Sequence, residues 1–120
     1  MAIRPILLSY DGCSTCKRAR AFLEARSIAH DLRAIVDQPP TRDELARWIP
    51  ASGKPIRKWL NTSGLSYRAR GKPAFDAAAD DEIARWLTED GKLVKRPVLV
   101  VGARVLVGFD EAAWSALLET

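Results

Sequence analysis

The stretch Ile6-Leu7-Leu8-Ser9-Tyr10-Asp11-Gly12-Cys13-Ser14-Thr15-Cys16-Lys17-Arg18-Ala19-Arg20-Ala21-Phe22-Leu23-Glu24 hands an apolar strand to a helix, with a Cys-x-x-Cys pair at the junction. Ile6-Leu7-Leu8 is a short apolar run of the kind that forms a buried strand, and Ala19, Phe22 and Leu23 repeat at the i, i+3, i+4 spacing of a helix face. Cys13 therefore falls at a helix N-terminus. Free N–H groups and the helix dipole favour an anion there and lower a thiol pKa. A second thiol one turn away can resolve a mixed disulfide, so the pair reads as redox chemistry. Lys17, Arg18 and Arg20 add positive charge that would further favour a thiolate.

Other uses of the pair fit less well. A zinc site would need two more soft ligands, and the chain, with its 2 cysteines, offers only His30. Inert core cysteines would sit in an apolar pattern, whereas these follow Asp11-Gly12 and precede Lys17-Arg18. Cys13 is the expected nucleophile, because it alone precedes the first helical turn. Cys16 is either the resolving thiol or a packing residue, since it shares a helical face with Ala19 and Leu23 and buried thiols behave as small hydrophobes. His30, at a strand start and distant in sequence from Cys13, reads as a surface residue.

Outward from this junction, Ile3–Ser9 is the first strand, Ser14 to about Arg26 the first helix and His30–Val36 the second strand. Together they make a βαβ unit with parallel strands. Thr41-Arg42-Asp43-Glu44 is a capping box opening a helix with Leu45, Trp48 and Ile49 on its core face. The same spacing recurs in Ile56, Trp59 and Leu60, in Ile83, Trp86 and Leu87, and in Trp114, Leu117 and Leu118. All 4 tryptophans lie in such triplets, which predicts four helices docked on a common sheet. Asn61–Pro73 is turn-rich and basic and is expected as a loop of functional length. Asp80 or Asp81 is expected to cap the next helix, and Asp90-Gly91 to end it. Pro97–Val101 and Arg104–Val107 form a hairpin across Gly102-Ala103, and Asp110 caps a last helix running to the C-terminus. The resulting order βα-β-ααα-ββ-α predicts an α/β fold: a thioredoxin-like mixed sheet with a helical insertion between its βαβ and ββα halves. One domain, 1–120, is expected.

Composition sets the bounds. The 120 residues are 48% hydrophobic and 28% charged, ordinary for a soluble domain. No apolar run or signal-peptide pattern marks a membrane or secretory protein. A cytoplasmic location is expected, where a cycling disulfide is more at home than a structural one. The formal charge of +4 is modest. Its basic clusters are separated by acidic residues with little aromatic interleaving, so direct nucleic-acid binding is not expected.

Arg96-Pro97 begins a strand after a helix. In a thioredoxin-like fold this is where a cis-proline faces the cysteine turn, leaving the backbone of the preceding residue to pair with an extended substrate. Arg96 would then be the nearest fixed positive charge to Cys13, able to hold a thiolate or an anionic group.

Tyr10–Ala19, Pro39–Leu45, Asn61–Arg68, Lys95–Val98 and Val107–Phe109, in this order and spacing, resemble the arsenate reductase (ArsC)/Spx/YffB group of the thioredoxin superfamily, over almost the whole chain. The resemblance implies a glutaredoxin-like site with Cys13 as catalytic thiol and Arg96 beside it. Substrate contacts are expected from Pro97 and Asn61 and, out of the basic segment, Arg68. No bound cofactor or metal is implied; glutathione or thioredoxin would donate electrons. Departures are visible as well. Glutathione-dependent arsenate reductases of the group use three arginines, of which only Arg96 remains by position, the other two places being Asn61 and Gly108. They also lack a cysteine at the place of Cys16. The Cys-x-x-Cys form is closer to the Spx branch, whose members sense thiol stress and bind the C-terminal domain of the RNA polymerase α subunit. The end at Thr120, without that branch's longer tail, and Asn61-Thr62-Ser63-Gly64 look more like the YffB branch. The leading expectation is a thiol–disulfide oxidoreductase. The alternatives are a redox-sensing regulator docking on polymerase, and an arsenate reductase.

Overall fold

The computed structural model of the chain describes residues 4–118. Four strands form one mixed sheet in the order β2-β1-β3-β4. Strand β1 (Ile6–Ser9) pairs parallel with β2 (Asp31–Ala34), through helix α1 (Ser14–Ala25). It pairs antiparallel with β3 (Val98–Val101), which makes a hairpin with β4 (Arg104–Val107). Helix α6 (Glu111–Leu118) follows β4. The βαβ and ββα halves are those expected, with β1, β2 and β3 a residue or more shorter than expected and β4 as expected; Ile3 lies outside the described residues. Gly102 turns the hairpin at φ 60°, as the first central position of a type II′ turn requires.

Both sheet faces are covered, which explains the unbroken apolar run Val98–Val101. Leu7, Leu99, Ala19, Phe22, Leu23 and Trp114 form the core between the sheet and helices α1 and α6. Leu8, Val98, Val100, Val105 and Val107 point the other way, into a larger core with Trp48, Trp59, Phe75, Ile83 and Trp86. The tryptophan stripes thus dock on one sheet, but Trp114 does so on the face opposite the other three. Side chains alternate along each strand, so one strand feeds both cores.

The insertion between β2 and β3 carries the corrections. Thr41 and Glu44 form the capping box of α2 (Arg42–Ser52) as expected. Ile56–Trp59, however, is a single 3-10 turn entered from Pro55, too short for the helix its spacing predicted. Trp59 is nevertheless fully buried, with its Nε1–H donating to Ser52 Oγ at 3.1 Å. The Asn61–Pro73 segment is not a loop: it holds α3 (Leu65–Arg70) and the start of α4 (Lys72–Ala77). Gly71, at φ 91°, breaks one helix from the next. Pro73 sits in the first turn of α4, where its missing N–H removes no bond. Neither Asp80 nor Asp81 caps α5 (Asp80–Glu89): Ala79 holds the N-cap without a side-chain bond, and the acids fill the first turn, where the helix dipole favours them. Asp110 does cap α6, its Oδ1 accepting from the N–H groups of Ala112 and Ala113.

Candidate active site

The turn after β1 is tied by its backbone. Cys13 N–H donates to the Tyr10 carbonyl at 3.1 Å, and Lys17 N–H donates to the Cys13 carbonyl at 3.1 Å. Cys13 is the N-cap of α1, with extended φ and ψ of −103° and 116°. Its sulfur does what a capping oxygen usually does, accepting the Cys16 N–H at 3.2 Å. Cys13 is partly exposed, Cys16 is buried, and both are free thiols.

The two sulfurs are driven apart in acidity. Burial alone would raise Cys13; hydrogen bonds from the Cys16 side chain and backbone, and from Arg96 together with its charge, outweigh it and hold Cys13 below the ordinary thiol value. Cys16 is pushed up to about 12, first by burial and then by the hydrogen bond and charge of Cys13. Cys13 is thus the more acidic thiol of the pair, and Cys16 the one that keeps its proton and donates to it. Lys17 and Arg18 are exposed, and Arg20 lies 3.7 Å from Asp11. The cation that acts on Cys13 is Arg96.

Arg96 arrives from the other half of the fold. The Arg96–Pro97 bond is cis, as expected. The Arg96 guanidinium lies over the Tyr10 ring, 5.0 Å from its centroid, and Nη1–H donates to the Lys92 carbonyl at 3.4 Å. The same carbonyl accepts from Asn61 Nδ2–H at 3.4 Å. Asn61 is held there by its backbone N–H on the Leu93 carbonyl, at 2.8 Å, beside an isolated bridge between Leu60 and Val94. A pairing between distant chain segments therefore sets Asn61 next to Arg96.

Cys13, Arg96 and Asn61 line a cleft of about 400 Å³ together with Thr15, Ser63, Gly108 and Phe109. Lys54, Lys95 and Arg96 face it, against one acid, Asp110, whose carboxylate is engaged in capping α6. Gly108 takes φ 81°. Its N–H donates to the Pro97 carbonyl at 2.8 Å, and its carbonyl accepts from Trp114 Nε1–H at 3.1 Å. A Cβ on Gly108 would stand 3.2 Å from Lys95 Cε, so the lysine chain runs across the space a side chain at 108 would take.

The structure thus gathers Cys13, Cys16, Arg96 and Asn61, with Pro97 buried at the start of β3. Arg68 lies exposed in α3, away from the cleft lining. His30 precedes β2, where Asp31 N–H bonds the Pro5 carbonyl, at the end of the sheet opposite Cys13. It cannot serve the cysteine as base or metal partner. Among the described residues no three His, Cys, Asp or Glu groups gather as a metal site would require. Lys54 and Ser63 were missed in the sequence. Lys54 follows Gly53, the left-handed C-cap of α2, and a helix-end glycine marks a turn without saying what the turn faces.

A model of the ArsC family matches residues 8–117. The chain belongs to the ArsC family. A solved structure of an ArsC-family-related protein from Bacteroides fragilis superposes with a TM-score of 0.91 at 40% identity, covering 98% of this chain and 99% of that one. The YusI protein of Bacillus subtilis (strain 168) is 37% identical over 103 residues, 85% of this chain and 87% of YusI. The regulatory protein MgsR of the same organism is 26% identical over 102 residues, 85% of this chain and 80% of MgsR. The ArsC family thus holds both arsenate reductase-like folds and a protein named as a regulator. No described helix is long and apolar enough to cross a membrane.

Proposed function

We propose that the chain is a thiol–disulfide oxidoreductase acting on anionic, low-molecular-weight mixed disulfides, with glutathione or thioredoxin as the reductant. The observation that carries this is Cys13: a partly exposed sulfur at a helix N-terminus, its acidity raised by Cys16 and Arg96 in a cationic cleft. The Cys13 thiolate attacks one sulfur of the disulfide, forming a mixed disulfide and expelling the other sulfur as a thiolate. Cys16 then attacks the Cys13 sulfur, displacing the bound thiolate and closing the Cys13–Cys16 disulfide, which two external thiol groups reduce. Once Cys13 is in a mixed disulfide it no longer carries the charge that raises Cys16. The buried thiol thereby becomes easier to deprotonate when it is needed.

Turnover of a glutathione mixed disulfide, coupled to glutathione or thioredoxin regeneration, tests this. The parent protein should turn over and Cys13→Ser should not; equal rates for both would refute it. Arsenate reduction should be weak, because an oxyanion needs several charge-assisted donors, each contributing about 1.5–3 kcal/mol. Arg96 is the arginine lining this cleft. Arsenate turnover matching that of disulfide would contradict the assignment.

The similarity to MgsR favours one second reading, a regulator in which the same disulfide is a switch. Its partner would be the RNA polymerase α subunit. Oxidation-dependent binding to that polymerase component, without disulfide turnover, would decide for it.

A further inference from the structure

We propose that Tyr10 is a positioning residue for Arg96, its ring forming the shelf that holds the guanidinium toward Cys13. The inference rests on the reading of Arg96 as the cation that acts on Cys13. A long side chain needs more than one anchor to stay in one place, and the Lys92 carbonyl at 3.4 Å is a slack one. The ring centroid at 5.0 Å from Cζ is within cation–π range.

The shelf is itself fixed. Tyr10 is partly buried and packs on the larger core. At its edge, a Cβ on residue 12 would stand 2.8 Å from Tyr10 Cε2. Gly12 is not among the glycines with positive φ, so its lack of a side chain serves the ring and not the backbone. Tyr10 also accepts the Cys13 N–H on its carbonyl, at 3.1 Å. One residue thus sets the nucleophile through its backbone and the cation through its side chain. The cleft wall also carries the charged groups Lys54, Lys95 and Asp110, the last engaged in capping α6.

The test is the pH midpoint of Cys13 alkylation in the full chain, for Tyr10→Phe, Tyr10→Leu, Arg96→Ala and the Tyr10→Leu/Arg96→Ala pair. Tyr10→Phe keeps the ring and should keep the midpoint. Tyr10→Leu should raise it by about half a pH unit, the size of a partly exposed cation–π contact. In the Arg96→Ala background the same change should add nothing. An unchanged midpoint for Tyr10→Leu, or an equal rise with and without Arg96, would overturn the proposal. If Arg96→Ala alone leaves the midpoint in place, the role of Arg96 itself fails, a separate and recognisable outcome that takes the shelf with it. Should Tyr10→Leu fail to fold, Gly12→Ala pushes the ring from its edge and should raise the midpoint in the same Arg96-dependent way.

Discussion

Cys13 and Cys16 differ by one helical turn, yet their environments push their acidities in opposite directions. Cys13 shares the cleft with a guanidinium, while Cys16 is closed off under the first turn of α1. In the proposed mechanism Cys16 then has two parts, as hydrogen-bond donor to the Cys13 sulfur and as the sulfur that clears the mixed disulfide. Cys16→Ala should remove both. The Cys13 midpoint should rise, and after treatment with oxidised glutathione intact mass should show the adduct persisting on Cys13. In the parent the adduct should give way to an intramolecular disulfide, a mass loss of two hydrogens without dimer. A persistent adduct in the parent would make Cys16 a packing residue. The placement of the pair was legible because a Cys-x-x-Cys at a strand-to-helix junction is a local signal. Arg96 was legible too, as the nearest fixed positive charge; the expected help from Lys17 and Arg18 was over-read, since helical neighbours in sequence can point to solvent.

Between elements, the strongest tie outside the cores is Arg33. From β2 it grips both oxygens of Glu44 at 2.8 Å and donates to the carbonyls of Gln38 at 3.0 Å and Pro39 at 2.9 Å. One guanidinium thus clamps strand, turn and helix α2, with side chains that are mostly buried. Arg33→Ala should cost about 2–3 kcal/mol in urea unfolding, because it leaves Glu44 and two carbonyls short of a charged donor. Glu44 is held below the ordinary carboxylate value, first by the Arg33 hydrogen bond. Since its folded pKa lies below its unfolded one, its stabilisation is complete above about pH 4.3 and disappears as pH falls through the lower folded value. The gap between the unfolding midpoints of parent and Arg33→Ala should therefore narrow in acid, leaving the part owed to the two carbonyls; a constant gap would refute the ion-pair part of the clamp. Its capping box was legible from four adjacent residues, whereas Arg33 and Glu44 meet only once the turn between them has folded. The same limit hid α3 and α4: Gly71 and Pro73 read as loop punctuation, and only packing such as the Tyr67–Phe75 stack at 4.4 Å shows them to be helix punctuation.

At the scale of the molecule, the fold brings residues from both halves of the chain to one end of the sheet. The βαβ half brings Cys13, the ββα half Arg96 and Gly108, and the insertion Asn61 and Lys54. Gly91 is a tight joint between the insertion and the segment that follows β2: a Cβ there would collide with the Ile35 carbonyl and Val36 Cα. Gly91→Ala should destabilise the fold by roughly 2–4 kcal/mol through backbone displacement. Because Lys92 follows directly and its carbonyl holds both Asn61 and Arg96, disulfide turnover should fall in the folded fraction as well. The halves and their order were legible from strand and helix periodicity, and Asn61 was expected at the site from the resemblance; Lys54 was not, because its place depends on where non-local pairing leaves the end of its turn. Everything proposed for the cleft requires that this assembly keep Cys13 as a thiolate. The direct measurement is the pH dependence of alkylation with each modified cysteine mapped by mass. A Cys13 midpoint clearly below the free-thiol value of about 8.5, with Cys16 unmodified at neutral pH, is the predicted result; a midpoint at or above that value, or equal modification of both cysteines, would contradict it.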